Sequence, residues 1–389
     1  MVVRHAQVFR DKQDINLLTG RCVKKIDRSN QKVLGATVDG QNFEVPYDRL
    51  LIATGSSAIK PDIPGFDLPG VFVLKNLDDG RKIKNYLKNK NIKKAIIIGM
   101  GYIALEMCET LVHLNIAVDM VKPNPVFLPW LEQSMAQVVR ECLESKGVGL
   151  YTGHEVERIQ ITGDGLELIC RDLNLTADMI LAGIGVTPNS QVAENANLEL
   201  SVNKSIAVDR NLKTSDENIY SAGDCADAFH VVTSQKTWIP LALRANRAGW
   251  AVADNVCGKE VALDGVAGTS VFRVFDLEVA RTGLNMEQAG KFGFEPVANT
   301  IKSRSKAHSH PGNTVIQVNM IGDKKSGLLL GAQMVGKEGV AHRINAAAVA
   351  LHARMTVAQF GQTDLAYAPP FGPTWDPTLT AANQLLKKM

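Results

Sequence analysis

Apolar positions in this chain alternate, run together, or spread to helical spacing, and each change of pattern marks an element. Residues 15–18, 21–26 and 32–38 read as short strands, with Asp39-Gly40 as a hairpin turn. Residues 47–55 end in a continuous apolar run, Leu50-Leu51-Ile52-Ala53, that enters a small-residue turn. Such a run suits a strand covered on both faces. The proline-rich stretch 61–69 is a loop. A second unit follows: a buried strand over 94–99 ending in glycine, a helix over 102–114 and a strand over 116–121, in β-α-β order. An amphipathic helix over 135–146 and strands over 148–151 and 181–186 bring this unit to a close near Pro188. Strands over 206–209 and 219–224 are expected to return to the first sheet, before an alanine-rich helix over 241–256. Beyond Gly265 the pattern changes to strands over 271–275, 314–320 and 327–334 and a helix over 340–353, which reads as a separate α+β domain.

Composition narrows the class. The chain has 389 residues, too many for one ordinary core, so two or three domains are expected. It is 45% hydrophobic and 21% charged, the profile of a soluble globular protein, and its net charge of +3 is too small to argue for nucleic acid or an anionic membrane. No apolar run reaches the roughly 20 residues of a membrane span, and no signal-peptide pattern opens the sequence. Six scattered cysteines, without CxxC spacing, suit reduced thiols in a cytoplasmic protein.

The sharpest chemical signal is Gly99-Met100-Gly101-Tyr102-Ile103-Ala104, a GxGxxA fingerprint between a buried strand and a helix. Gly99 permits the tight turn, Gly101 lets backbone approach a pyrophosphate, and Ala104 allows close packing of helix on strand. The unpaired N–H groups at the helix start then hold the phosphates. An acidic residue normally ends the next strand, where it meets the adenine ribose of NAD; here that place falls to Lys122, and Asp119 lies mid-strand. Lys122 is either a partner for the 2′-phosphate of NADP or a surface lysine.

Read with three further segments, the fingerprint resembles one family. Leu51-Ile52-Ala53-Thr54-Gly55 resembles the ATG motif that closes the first flavin-binding stretch. Residues 99–106 (GMGYIALE) are similar to a nicotinamide-binding GxGYIGLE, and Gly185 lies in a segment, 183–189, that resembles the GxxPN turn leaving that domain. Residues 214–224 resemble TSxxxIYAxGD, whose aspartate, here Asp224 after Gly223, holds the flavin ribityl chain. By their order and separation the chain is identified as a member of the pyridine nucleotide-disulfide oxidoreductases. The resemblance implies an α/β fold of two dinucleotide-binding (Rossmann-like) domains, the first incomplete, plus a C-terminal α+β dimerisation domain. The expected bounds are 1–85 for part of the FAD-binding domain, 86–200 for the NAD(P)-binding domain, 201–264 for the return segment of the FAD-binding domain and 265–389 for dimerisation. The resemblance also implies that Tyr102 stacks over the flavin and moves when nicotinamide enters, and that Glu106 sits near the nicotinamide–flavin junction, unless it is a plain surface carboxylate. The helix that starts at Leu241 and Ala242 would point its dipole at the flavin.

Toward the end, Tyr367-Ala368-Pro369-Pro370-Phe371 with Trp375-Asp376-Pro377 resembles the coenzyme A-disulfide reductase branch. That branch implies a homodimer in which Tyr367 reaches the partner's active site to polarise a disulfide or protonate a thiolate. The basic stretch Lys302, Arg304, Lys306, His308 and His310 is either a site for CoA phosphates or a solvated loop; without carboxylates or thiols beside them the two histidines suggest no metal site. The family's opening FAD fingerprint and its reactive cysteine have no counterpart here, a difference of roughly 60 residues, and none of the six cysteines replaces the nucleophile by position. Cys225, beside Asp224, is expected to be structural. The expected activity is FAD-dependent reduction of a disulfide, persulfide or polysulfide by NAD(P)H, in a chain shortened at its start. The alternatives are an NAD(P)H oxidase- or peroxidase-like flavoprotein and a non-catalytic nucleotide-binding dimer.

Overall fold

A strand of the apolar run Leu50–Ile52 needs a partner, and it finds one far along the chain: it pairs in parallel with Ile219–Ser221. In this computed structural model, which describes residues 5–163 and 165–389, that pair belongs to the first of two compact units. The first unit comprises the chain up to Ser56, Pro188–Ala228 and Lys236–Asp264. It carries an antiparallel sheet of Arg21–Asp27, Lys32–Thr37 and Asn42–Pro46, turned at Gly40. Ile26, Val33, Ile52, Ile206 and Ile219 share one core cluster, and Val208, Leu212 and Tyr220 form another beneath the helix Ala242–Val256.

Two expectations fail in this unit. Residues 15–18 form no strand; instead the helix Ala6–Gln13 precedes them and ends at Asp14 in the left-handed region. Four residues with no neighbouring strand to pair with cannot hold a ladder. Residues 206–209 likewise form no strand: Ile206 alone bridges, antiparallel to Leu200 and parallel to Ala226, and Asp209 then turns the chain by accepting the Lys213 N–H.

The second unit comprises Ser57–Thr187, Phe229–Gln235 and Gly265–Met389. Its parallel sheet runs in the order Val71–Val73, Met179–Ala182, Lys94–Ile98, Ala117–Lys122, Gly149–Thr152. Ile96 and Ile97 are fully buried in its central strand, as the uninterrupted apolar run requires. The helices Tyr102–His113 and Gln133–Ser145 make the crossovers. A second, antiparallel sheet is ordered Ser270–Val274, Leu277–Gly283, Leu329–Gly336, Val315–Asp323, Pro296–Arg304 and packs against the helices Val340–His352 and Pro377–Leu386. These two sheets are joined through Phe272, Val274 and Val335, which share a core with Leu105 and Met120. Among the described residues no helix is long and apolar enough to cross a membrane.

Candidate active site

In the first unit the strand Leu50–Ile52 delivers Thr54 and Gly55 into a turn, where Gly55 has a φ of 71°. Asn189 clasps that turn. Thr54 Oγ1 donates to the Asn189 carbonyl at 2.5 Å, Asn189 Nδ2 donates to the Thr54 carbonyl at 2.9 Å, and the Asn189 N–H donates to the Gly55 carbonyl at 2.9 Å. The strand Ile219–Ser221 ends nearby in a single tight turn, Gly223–Cys225. Ser56 Oγ donates to Asp224 Oδ2 at 2.8 Å, and Trp238 Nε1 donates to the Asp224 carbonyl at 2.8 Å. The partly exposed carboxylate of Asp224 is thus oriented at a strand end, and an acceptor of this kind fits sugar or ribityl hydroxyls. Leu241 caps the helix Ala242–Val256 without a side-chain hydrogen bond.

Several residues that position this half-site were not singled out by motif. Arg244, in the first turn of that helix and 7% exposed, donates from Nη1 to the Gly223 carbonyl at 2.9 Å and from Nη2 to the Asp227 carbonyl. Burial draws its pKa below the ordinary value, against the attraction of Asp227. Asp227 is fully buried, takes the Val208 N–H at 3.0 Å and pairs with Lys236 at 3.0 Å. An arginine in a helix's first turn opposes the dipole, and that misfit was the available signal for Arg244. Cys225 lies buried with its sulfur 3.5 Å from Ser221 Oγ, a packing environment.

In the second unit the strand Lys94–Ile98 runs into Gly99, whose φ is 107° and where a Cβ would fall 2.5 Å from the Gly183 carbonyl oxygen. At Gly101 a Cβ would find its nearest neighbour 4.0 Å away, the same oxygen, so the surface there is open backbone. Gly101 N-caps the helix Tyr102–His113 without a side-chain bond, leaving the first-turn N–H groups for an anion. Ala104 is fully buried against Gly183, whereas Ile103 is 40% exposed. A glycine cradle of this shape fits a dinucleotide pyrophosphate. Gly185, φ 122°, takes the Ile59 N–H on its carbonyl at 3.0 Å.

The strand Ala117–Lys122 carries one carboxylate, Asp119, and it is committed to Lys94 at 2.8 Å. Lys122 ends the strand and donates from Nζ to the Val126 carbonyl at 3.0 Å; burial lowers its pKa. Glu106 has its pKa raised by burial and then by Glu109. The Tyr102 ring packs against Phe272 at 5.1 Å and edge-on to Trp130 at 5.5 Å, and its hydroxyl accepts from Ser270 Oγ at 3.2 Å.

In the same unit Tyr367 is 50% exposed on a loop, followed by Phe371 at 78% and Trp375 at 61%. The Ala307 N–H donates to the Pro369 carbonyl at 3.0 Å, which sets this loop against the basic stretch. Lys302, Arg304 and His308 are exposed there, while Lys306 pairs with Glu338 at 3.1 Å. Burial pushes the Cys108 thiol up to about 12 and the Cys170 thiol up to about 11, so neither is a ready thiolate at neutral pH. Among the described residues, no group of three or more His, Cys, Asp or Glu side chains is placed to hold a metal ion.

These elements recur in known proteins. Residues 2–249 match the pyridine nucleotide-disulphide oxidoreductase family and residues 269–377 match its dimerisation domain. The NAD(P)H sulfur oxidoreductase (CoA-dependent) of Pyrococcus furiosus is 33% identical over 97% of this chain and 85% of its own length. The NADH oxidase of Methanocaldococcus jannaschii is 32% identical over 100% of this chain and 87% of its own. A solved structure of an NAD-dependent persulfide reductase from A. fulgidus superposes with a TM-score of 0.95 at 34% identity, over 99% of this chain and 72% of that one. The chain belongs to the pyridine nucleotide-disulphide oxidoreductase family, an enzyme family whose fold combines paired dinucleotide-binding units with a dimerisation domain.

Proposed function

We propose that this chain works as a homodimeric FAD-dependent oxidoreductase in which NAD(P)H and a proton reduce a CoA disulfide to two thiols, or a CoA persulfide or polysulfide to the chain shorter by one sulfur and hydrogen sulfide. The observation that carries the substrate class is the Ala307–Pro369 hydrogen bond, which joins the loop of the exposed Tyr367 to the loop that follows the exposed Lys302 and Arg304. A phenol can hand a proton to a departing sulfur, and cations suit the phosphates of CoA. The names of the Pyrococcus and A. fulgidus relatives support the same substrates.

Each residue has a task in this reading. The Gly99–Gly101 cradle and the helix start after it hold the nicotinamide dinucleotide pyrophosphate. Lys122 stands where a ribose-binding carboxylate would otherwise be, and with Asp119 committed to Lys94 this strand does not repel a 2′-phosphate. Glu106 and Tyr102 border the nicotinamide, and the raised pKa of Glu106 eases its taking up a proton. In the first unit Asp224, steadied by Ser56, accepts hydrogen bonds from flavin hydroxyls, with Thr54, Gly55 and the helix start at Leu241-Ala242 as the neighbouring backbone. The bound flavin supplies the hydride acceptor and the route for electrons to sulfur. A second reading sends those electrons to oxygen, as the name of the Methanocaldococcus relative suggests.

The test begins with flavin per chain in the purified protein, followed by NADH and NADPH oxidation with CoA disulfide, with polysulfide plus CoA, and with oxygen alone. Near-stoichiometric flavin, lost in Asp224→Ala, and rates that rise with the sulfur acceptors are expected. A colourless protein would sink the reading; flavin with turnover on oxygen and no response to sulfur would replace it with the oxidase.

A further inference from the structure

The loop that carries Tyr367 has no regular secondary structure, yet it is fixed at one point by a largely buried arginine side chain. Arg343 lies in the first turn of the helix Val340–His352, with a side chain only 9% exposed. Its Nη2 donates to the Phe371 carbonyl at 3.0 Å and to the Ser305 carbonyl at 3.1 Å, Nη1 donates to the Gly339 carbonyl at 3.1 Å, and Nε donates to Asp376 Oδ2 at 2.8 Å. One guanidinium thus gathers the end of the 367–371 loop, the start of the basic loop, the turn before its own helix and the carboxylate that follows Trp375. Asp376 is shared: its Oδ1 accepts from the N–H and hydroxyl of Thr378 and caps the helix Pro377–Leu386.

Two glycines make room for this arrangement. Gly339 has a φ of 79°, and a Cβ there would overlap Arg343 Nη1; at Gly372 a Cβ would lie 3.2 Å from Nη2. Glu338 reinforces the far side, accepting from Ser305 Oγ at 2.6 Å and pairing with Lys306 at 3.1 Å. A planar donor that reaches four acceptors in fixed directions is what arginine supplies and lysine does not.

We propose that Arg343 is the positioning residue for the reaction surface of the second unit: with Asp376 it locks the 367–371 loop and the 305–310 loop into one rigid piece, so that the Tyr367 hydroxyl and the cationic strand end meet substrate in a set geometry. The part of this that concerns turnover rests on the sulfur-reductase reading; the lock itself does not. Misplacing a reacting group by about 1 Å costs on the order of 100-fold in rate, so the lock has kinetic weight.

Three variants of the full chain test it: Arg343→Lys, Asp376→Asn and Tyr367→Phe. Asp376→Asn keeps a helix-capping side chain and loses the ion pair, so it guards against loss of fold. Amide hydrogen exchange reads the lock directly, with Ala307 and Phe371, bonded to Pro369 and Ala368, as reporters and Met320 in the strand Val315–Asp323 as control. Exchange at the reporters should rise about tenfold or more in Arg343→Lys and Asp376→Asn with the control unchanged. In both, kcat with the sulfur acceptor should fall and KM for NAD(P)H should stay put, whereas Tyr367→Phe should lower kcat without loosening the reporters. Unchanged exchange in both lock variants overturns the proposal, and so does loosened exchange with full kcat when Tyr367→Phe is impaired. If Tyr367→Phe turns over normally, the assignment of Tyr367 fails, and the lock is judged by exchange alone.

Discussion

His230 shows how one side chain sets a pH limit. It is 6% exposed in the second unit, and its Nδ1 accepts the Val232 N–H at 3.2 Å, which leaves any proton of the neutral ring on Nε2. Burial, then the charges of Arg281 and His352, hold its pKa down to about 4. The unfolded chain takes up this proton near pH 6.5, before the folded chain does, so the stability tied to the neutral ring is complete above that pH. It drains away as pH falls from about 6.5 to about 4, at up to roughly 1.4 kcal/mol per pH unit. His230→Gln, which keeps an acceptor for Val232 without the titration, should flatten the drop in thermal midpoint between pH 7 and pH 4.5. Equal slopes for the two proteins would show that His230 does not set the limit.

At the scale of the element, the strand–glycine–helix passage at Gly99 is a demanding piece of backbone. A side chain there meets both a left-handed φ and the Gly183 carbonyl. Gly99→Ala should cost about 1–3 kcal/mol and weaken nicotinamide dinucleotide binding at least tenfold, read by thermal unfolding and by ligand titration. Unaltered affinity would remove the fingerprint from the coenzyme site. This passage was legible in the sequence because the isoleucine run before it is buried on both faces and two glycines close it. The strand Pro296–Arg304 was not legible: it holds only scattered apolar positions and is extended because Val315–Asp323 pairs along its whole length. The Arg343 cluster was hidden for a related reason, since its partners are mostly backbone carbonyls, which no residue type announces.

For the molecule as a whole, the sequence showed a first sheet interrupted and resumed, and the pairing of Leu50–Ile52 with Ile219–Ser221 is that resumption. The sequence did not show that Phe272 and Val335 share a core with the helix Tyr102–His113, because contacts between distant segments leave no periodic trace. In the proposed homodimer, the exposed aromatics Phe371 and Trp375, on the segment that carries Tyr367, are the apolar surface expected to be covered by the second copy. Light scattering should therefore give twice the 42.2 kDa chain mass, and Phe371→Glu should shift it toward one. A single-chain mass for the unmodified protein would refute the homodimer.

The hydrogen bonds between Asn189 and the Thr54-Gly55 turn have a consequence for the chain's own birth. The ribosome delivers Leu50–Ile52 long before Asn189 and the strand Ile219–Ser221 exist to receive it. While the inserted stretch is being made and is burying its own isoleucines, the segment ahead of it waits half-made. The half-site proposed for flavin is therefore assembled late in synthesis, and its early strands stay open to proteases and chaperones until the later segments arrive.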